Sequence, residues 1–109
     1  MLDRFKSENE VDGDGNPTGG TVRGTGLIID WQDGPLGRGD DRKEPNGAFV
    51  ETVLAAAKQR IEFYQTASNG KYACQTNADA INNIHAALQC LEARTRDRET
   101  RGVEGEHKV

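Results

Sequence analysis

Apolar residues in the second half of the chain recur at the spacing of an α-helix. From residue 50 they are separated alternately by four and three positions, which places them on one face. These residues are Val50, Leu54, Ala57, Ile61 and Tyr64. Asn46 follows a proline and is a favourable N-cap, while Ser68-Asn69-Gly70 supplies a stop in which Gly70 adopts the left-handed cap. The pattern predicts a first helix between these two signals.

A second apolar stripe follows at heptad spacing. It consists of Ile81, Ile84, Leu88 and Leu91. Thr76 with Asp79 three residues later resembles a capping box, so a second helix is predicted to begin near Thr76. Because the connection between the helices is short, residues 46–101 are expected to form an antiparallel hairpin. Two helices cannot enclose a core, so their remaining apolar faces need a partner chain or a small sheet.

The first half of the chain is rich in turn-forming residues, since all three prolines and ten of the 13 glycines lie before residue 48. Residues 1–18 contain few apolar groups and predict a flexible acidic arm. Residues 19–45 hold the β-branched cluster of this half and predict short strands, with a turn at Gly24–Gly26, and a loop. Residues 102–109 form a tail.

These elements together predict an α+β fold. Short N-terminal antiparallel strands are followed by a long antiparallel two-helix hairpin, within one domain over residues 19–109. A chain of 109 residues with only 34% hydrophobic residues buries a small core, so we expect it to be oligomeric.

Composition excludes several classes of partner. The formal net charge of -4 argues against binding a nucleic-acid polymer, which normally requires a basic excess. No run of about 18 apolar residues is present, so no membrane partner is expected. The two cysteines, Cys74 and Cys90, are too far apart along one helix to form a disulfide, and both are expected to be reduced.

The ends of the second stripe are polar. Extended along the helix, the stripe reaches Asn77 at one end and Thr95 and Arg98 at the other. Either the helix ends leave the core and are solvated, or the stripe opens into a polar cavity between subunits. The spacing alone supports both interpretations equally.

A cluster of arginines lies at the same end of the helix. Arg94, Arg98 and Arg101 are spaced i, i+4 and i+7, so they share one face, from which guanidinium groups can bind phosphate oxygens. The alternative is a solvated charge run that pairs with Asp97 and Glu99. Spacing alone favours the solvated run.

Aromatic side chains offer stacking surfaces for a base, although core packing is the better explanation for Phe49 and Tyr64. Tyr72 follows the hairpin turn and is less easily explained by packing. No Ser-His-acid, Cys-His or paired-carboxylate arrangement and no metal-ligand spacing stands out, so the chain is expected to be neither an enzyme nor a metalloprotein and to use no cofactor.

The chain resembles the small phage anti-defence proteins that sequester cyclic nucleotide signals of the bacterial Thoeris and CBASS immune systems. The resemblance extends from about residue 19 to the end. It is carried by Trp31-Gln32-Asp33-Gly34-Pro35-Leu36-Gly37, Asn46-Gly47-Ala48-Phe49-Val50-Glu51, Cys74 to Asn77, Ala93-Arg94-Thr95-Arg96-Asp97-Arg98-Glu99 and Arg101-Gly102-Val103-Glu104-Gly105.

The resemblance implies dimers that build hexamers, and strands that place the chain in the Thoeris branch. It implies that cyclic ADP-ribose isomers, and in some members cyclic di- or trinucleotides, are held uncleaved in the host bacterial cytoplasm. Arg94 and Arg98 would bind phosphates, Asn77 and an aromatic residue would contact the nucleoside, and Thr95 would help at a cyclic-oligonucleotide site. Either Tyr72 or Phe63 would be that aromatic residue. The alternative is a helical-hairpin adaptor that binds only protein.

Overall fold

A computed structural model describes residues 4–109 of the chain. The elements are strands β1 (Phe5–Val11), β2 (Pro17–Gly24) and β3 (Leu27–Asp30), followed by helices α1 (Val50–Gly70) and α2 (Gln75–Thr100). The predicted α+β class is therefore confirmed. The backbone forms two compact units: one runs up to Phe49 and includes Glu99–Val109, and the other is Val50–Arg98. The single domain over residues 19–109 stays a prediction.

The three strands form an antiparallel sheet in the order β1-β2-β3. Residues Thr25 and Gly26 connect β2 to β3, and Gly26 has a φ of 71°, so the predicted glycine turn is confirmed. Val22 of β2, at 7% exposure, is the one buried apolar side chain in residues 4–109. The sheet therefore contributes little core of its own.

The predicted arm over residues 1–18 was wrong where it covers β1 and the start of β2. These strands pair, and their turn is closed by Asp12, whose carboxylate accepts the N–H groups of Asp14 at 2.9 Å and Asn16 at 3.0 Å. Every residue of β1 is exposed, so its residues follow no hydrophobic alternation that sequence could reveal. Residues 1–3 of the predicted arm lie outside the described residues.

Asn46 does not cap α1, which begins four residues later at Val50. Its side chain instead fixes the loop after β3, because its Oδ1 accepts the N–H of Asp33 at 2.8 Å and its Nδ2 donates to the Asp33 carbonyl at 3.1 Å. Gln32 Oε1 in turn accepts the N–H of Asn46 at 2.9 Å. An amide side chain that pairs with both main-chain groups of a distant residue is no longer available as a cap.

The connection between the helices has the predicted left-handed stop. Helical backbone ends before Ala67, and Ser68, Asn69 and Gly70 all have positive φ values between 52° and 81°. The side chain of Gln65 then holds the connection by accepting the N–H of Cys74 at 3.0 Å and donating to its carbonyl at 3.2 Å. A short, doubly bonded connection of this kind joins α1 and α2 as the predicted hairpin.

The second helix begins at Gln75, and the predicted capping box is wrong. Asp79 accepts the side-chain amide of Gln75 at 2.8 Å, while the Thr76 hydroxyl lies 3.3 Å from the Cys74 sulfur. Because the helix starts one residue earlier than expected, Thr76 is inside the first turn and does not occupy the cap position.

The stripe on α2 is confirmed, and the one on α1 is rotated. Ile81, Ile84, Leu88 and Leu91 are all half-buried. On α1, Val50, Ala57 and Tyr64 are exposed. A half-buried row at helical spacing consists of Glu51, Leu54, Lys58, Ile61 and Gln65, and Val53 is half-buried beside it. Polar residues in this row could not be assigned to it from hydrophobic patterning. Neither helix has a fully buried residue.

The tail folds onto a loop of the first unit. Gly37 donates its N–H to the Gly105 carbonyl at 2.8 Å, and Arg42 forms a two-pronged ion pair with Glu104 at 2.7 and 3.1 Å. This hydrogen bonding by Glu104 raises the pKa of Arg42. In the part of the chain described, neither helix is apolar enough over its length to cross a bilayer.

Candidate functional site

The predicted site residues fall into two groups at opposite ends of α2. The turn group consists of Phe63, Tyr72 and Asn77, which lie on either side of the connection between the helices. The arginine group consists of Arg94, Thr95 and Arg98 near the end of α2. Asn77 and Arg94 are separated by 17 residues of α-helix, which corresponds to about 26 Å at 1.5 Å per residue. One chain therefore does not bring the two groups together.

Both groups include the polar ends of the half-buried stripe. Asn77, Thr95 and Arg98 are half-buried, as are the apolar stripe residues between them. The Thr95 hydroxyl donates to the Leu91 carbonyl at 3.2 Å, one turn earlier. The stripe thus ends in half-buried polar groups whose hydrogen bonds are local.

The arginines of α2 have different surroundings. Arg94 is exposed, and its guanidinium has no hydrogen-bond or ion-pair partner in residues 4–109. Arg96, two positions later, forms an ion pair with Glu92 one turn before it. Arg101 follows the end of α2 and donates to the Val109 main-chain oxygen at 2.7 Å. Arg94 is therefore available to an anion, whereas Arg96 and Arg101 already have acceptors.

Asn77 and Tyr72 are linked across the connection. The Asn77 side-chain amide donates to the Tyr72 carbonyl at 3.4 Å, which fixes the position of the amide and leaves its oxygen available as an acceptor. The Tyr72 ring is 56% exposed, with the Lys71 ammonium 5.4 Å from its centroid. A nucleoside bound here would find an amide, an aromatic surface and a positive charge.

Phe63 belongs to an aromatic cluster that the sequence analysis did not identify. Arg60, Phe63 and Tyr64 are spaced i, i+3 and i+4, and the Arg60 guanidinium lies 5.1 Å from the centroids of both rings. Arg60 Nε also donates to the Tyr64 hydroxyl at 3.2 Å. Phe63 is 46% exposed, so part of its surface is open for stacking. The helical spacing of a cation and two aromatics was the signal that could have found this cluster.

Cys74 lies directly before the start of α2, between Tyr72 and Asn77 of the turn group. Both Cys74 and Cys90 are free and exposed. The Thr76 hydroxyl, and after it the N–H of Asn77, lower the pKa of the Cys74 thiol by hydrogen bonding to its sulfur. Among residues 4–109, no three His, Cys, Asp or Glu side chains come together in a way that could hold a metal ion.

Comparison with known proteins finds a similarity to a phage protein. No family model matches the chain. The protein named Thoeris anti-defense 1 from Bacillus phage SBSphiJ7 is 40% identical to this chain over 63 residues, which represent 58% of this chain and 42% of the phage protein. The match thus spans less than half of the relative's length. It supports a relationship to Thoeris anti-defence proteins and agrees with the Thoeris part of the resemblance in the sequence motifs.

Proposed function

We propose that this chain is a phage anti-defence protein that binds and sequesters cyclic nucleotide immune signals without cleaving them. Cyclic ADP-ribose isomers of Thoeris are the first candidates, and cyclic di- and trinucleotides of CBASS are further ones. The protein would act in the host bacterial cytoplasm as a homo-oligomer of dimers that build a hexamer. The similarity to Thoeris anti-defense 1 supports the anti-defence role, and the polar ends of the α2 stripe support the binding role.

The proposed site rests on the distance along α2 between the turn group and the arginine group. A compact cyclic nucleotide cannot reach from Asn77 to Arg94 of one chain, since these residues are about 26 Å apart along α2. The two groups meet side by side when the α2 helices of two protomers run antiparallel. Each site then takes the arginine group of one protomer and the turn group of its partner.

The stripe on α2 suits this arrangement because it is nearly symmetric about its middle. When the two-fold axis passes between Ala87 and Leu88, Ile84 of one helix is level with Leu91 of the other. Asn77 is then level with Arg98. A two-fold interface contains the same pairings twice, so a dimer would hold two equivalent sites. Each residue of the stripe is only half-buried, so the exposed part of its side chain can pack against a second hairpin.

The gross interaction energy that the two groups can supply is of the same order as the free energy of tight binding. Submicromolar affinity requires a binding free energy of about -8 kcal/mol or stronger. Charge-assisted hydrogen bonds contribute about 1.5–3 kcal/mol each, and stacking of a base on an aromatic ring contributes about 1–3 kcal/mol. Two arginines, one amide and one ring supply this range, less the cost of ordering the ligand.

Recovery of the ligand tests sequestration directly. The purified protein is incubated with a cyclic ADP-ribose isomer, separated from free nucleotide and denatured by heat, and the released compound is identified by mass spectrometry. We expect the intact cyclic nucleotide. Release of a linear or hydrolysed product would overturn sequestration and favour an enzyme.

Substitution of the arginines tests the site. Arg94→Ala and Arg98→Ala are each expected to weaken capture of the same isomer by about tenfold or more, because a charge-assisted hydrogen bond is lost. Arg96→Ala is the matched control, since it removes a guanidinium that is paired with Glu92, and it should bind like the parent chain. Equal affinity of all three variants and the parent, measured by calorimetry, would show that the site lies elsewhere.

The second candidate function is a protein-interaction or structural hairpin in which the same arginines pair with carboxylates of a partner. A thermal-shift screen separates the two candidates. A ligand at 100 times its dissociation constant stabilises the folded state by about 2.7 kcal/mol, so a bound cyclic nucleotide raises the midpoint of unfolding. Absence of any shift with cyclic ADP-ribose isomers and cyclic oligonucleotides would favour the adaptor.

A further inference from the structure

We propose that the free edge of strand β1 pairs with β1 of a second copy of this chain, antiparallel and centred on Glu8. The two sheets would join into one six-stranded sheet. This interface involves the strands and is separate from the helical pairing proposed for nucleotide binding. Its test needs no nucleotide, so it stands or fails independently of the proposed function.

The starting observation is that β1 is an unusually open edge. It lies at one side of the sheet, has β2 as its neighbour, and has all seven of its residues exposed. Phe5 is 49% exposed and Val11 62%, one at each end of the strand. An open edge presents a row of N–H and C=O groups that can pair with another strand. Three strands with so little cover are also marginal in stability, so an added strand is favourable.

The sequence of β1, Phe-Lys-Ser-Glu-Asn-Glu-Val, is complementary to itself in one register. With Glu8 opposite Glu8, Lys6 of each copy lies opposite Glu10 of the other, and Phe5 lies opposite Val11. All seven residues find a partner in the second strand. Directly opposed side chains share a face, so the opposite charges and the apolar pairs are placed side by side and stabilise the pairing.

Neighbouring registers match the two strands less completely. Centring the pair on Ser7 also places Lys6 opposite Glu8, but it places Phe5 opposite Asn9 and leaves Glu10 and Val11 without partners in the other β1 strand. Centring it on Asn9 places Glu8 of each copy opposite Glu10 of the other, so the dimer contains two pairs of opposed negative charges. The register centred on Glu8 has one unfavourable pair, Glu8 with itself.

The pairing of β1 with β2 gives two further reasons to expect a second copy of β1 at the open edge. Lys6 lies directly opposite Arg23, which is itself paired with Asp30, whereas Lys6 has no ion-pair partner in residues 4–109. Glu10 from a second copy would lie beside Lys6 and would neutralise its charge. The irregularity in the β1–β2 pairing at Glu10 and Val11 skips Thr18, so the extra residue is on β2 and the β1 backbone stays regular.

Disulfide formation tests the register, in a background in which Cys74 and Cys90 are replaced by serine. Glu8→Cys should form a dimer on mild oxidation, because residue 8 is opposite itself and directly opposed Cα atoms lie within disulfide range. Lys6→Cys and Glu10→Cys should each stay monomeric on non-reducing gels, since four residues of strand, about 13 Å, separate the two copies of each cysteine. A mixture of these two variants should form the mixed disulfide.

Charge exchange gives a second measurement on the Glu8→Cys chain. Lys6→Glu should lower the yield of disulfide dimer by about fivefold or more, since each dimer contains two such pairs, and Lys6→Glu with Glu10→Lys should restore it. Failure of Glu8→Cys to cross-link, or equal cross-linking of Lys6→Cys alone, would overturn the proposal. Unchanged yield in Lys6→Glu would also overturn it.

Discussion

At the connection between the helices, side chains form hydrogen bonds mainly with main-chain groups. Cys74 illustrates this, because its N–H and carbonyl are both bonded to Gln65 while its sulfur accepts hydrogen bonds from Thr76 and Asn77. The same residue is therefore a structural link and an exposed thiol of lowered pKa. Its position beside Asn77 makes it a reporter for the turn group.

The Thr76 hydroxyl controls the reactivity of Cys74. Because hydrogen bonding lowers the thiol pKa, more thiolate is present near neutral pH than an unassisted cysteine would have. In a Cys90→Ser background, Thr76→Val should slow alkylation of Cys74 by iodoacetamide at pH 7.5 by about twofold or more. The difference should vanish at high pH, where both thiols are ionised. Equal rates at pH 7.5, measured by mass spectrometry, would contradict the assignment.

Elements of the fold differ in how far sequence could predict them. The stripe and extent of α2 followed from its spacing, and the end of α1 followed from Ser68-Asn69-Gly70, because apolar periodicity and left-handed backbone are local signals. The cap at Asn46 failed because its partner, Asp33, is distant in sequence. β1 was missed because an exposed strand carries no apolar alternation.

The candidate site was predictable in part, for a similar reason. The arginine spacing and the polar ends of the stripe are visible along one helix, so the sequence could nominate Arg94, Arg98 and Asn77. It could not show that Arg94 lacks a partner while Arg96 is paired with Glu92, since both lie in a run of mixed charge. The Arg60 cluster was missed because each aromatic residue was considered separately and not together with the arginine at helical spacing.

The connection of the hairpin depends on the side chain of Gln65. Gln65→Ala removes two hydrogen bonds to Cys74, so we expect a loss of about 1–2 kcal/mol in the free energy of unfolding, read from helical circular dichroism in urea. Gln89→Ala is the control, because Gln89 is exposed on α2 and has no hydrogen-bond partner among the described residues. Equal midpoints for the two variants would mean that the connection is held by its backbone alone.

The pairing of β1 with β2 depends on Gly20. A Cβ at this position would lie 2.2 Å from the Glu8 carbonyl oxygen, and its φ of 145° disfavours any other residue. Gly20→Ala should therefore separate β1 from β2 and speed amide exchange along β1. Gly13→Ala, in the turn between the same strands, meets no atom within 4 Å and should leave exchange unchanged. Protection of β1 in both variants would refute this role for Gly20.

For the whole molecule, the proposed site makes a prediction about mixtures. A chain with Arg94→Ala and Arg98→Ala, and a chain with Asn77→Ala, should each bind cyclic nucleotide poorly. Unfolded and refolded together, they should recover about a quarter of the parent's sites, because half of randomly paired dimers are mixed and each mixed dimer has one intact site. Equilibrium dialysis measures the site number. No recovery on mixing would contradict a site that combines residues of two protomers.

The absence of any buried residue in either helix has a consequence for how the protein survives dilution. If a second copy covers the stripes of these helices, as proposed above, part of the folding free energy comes from association, so the melting temperature rises with protein concentration. Dilution of the sample should then favour unfolding of the hairpin.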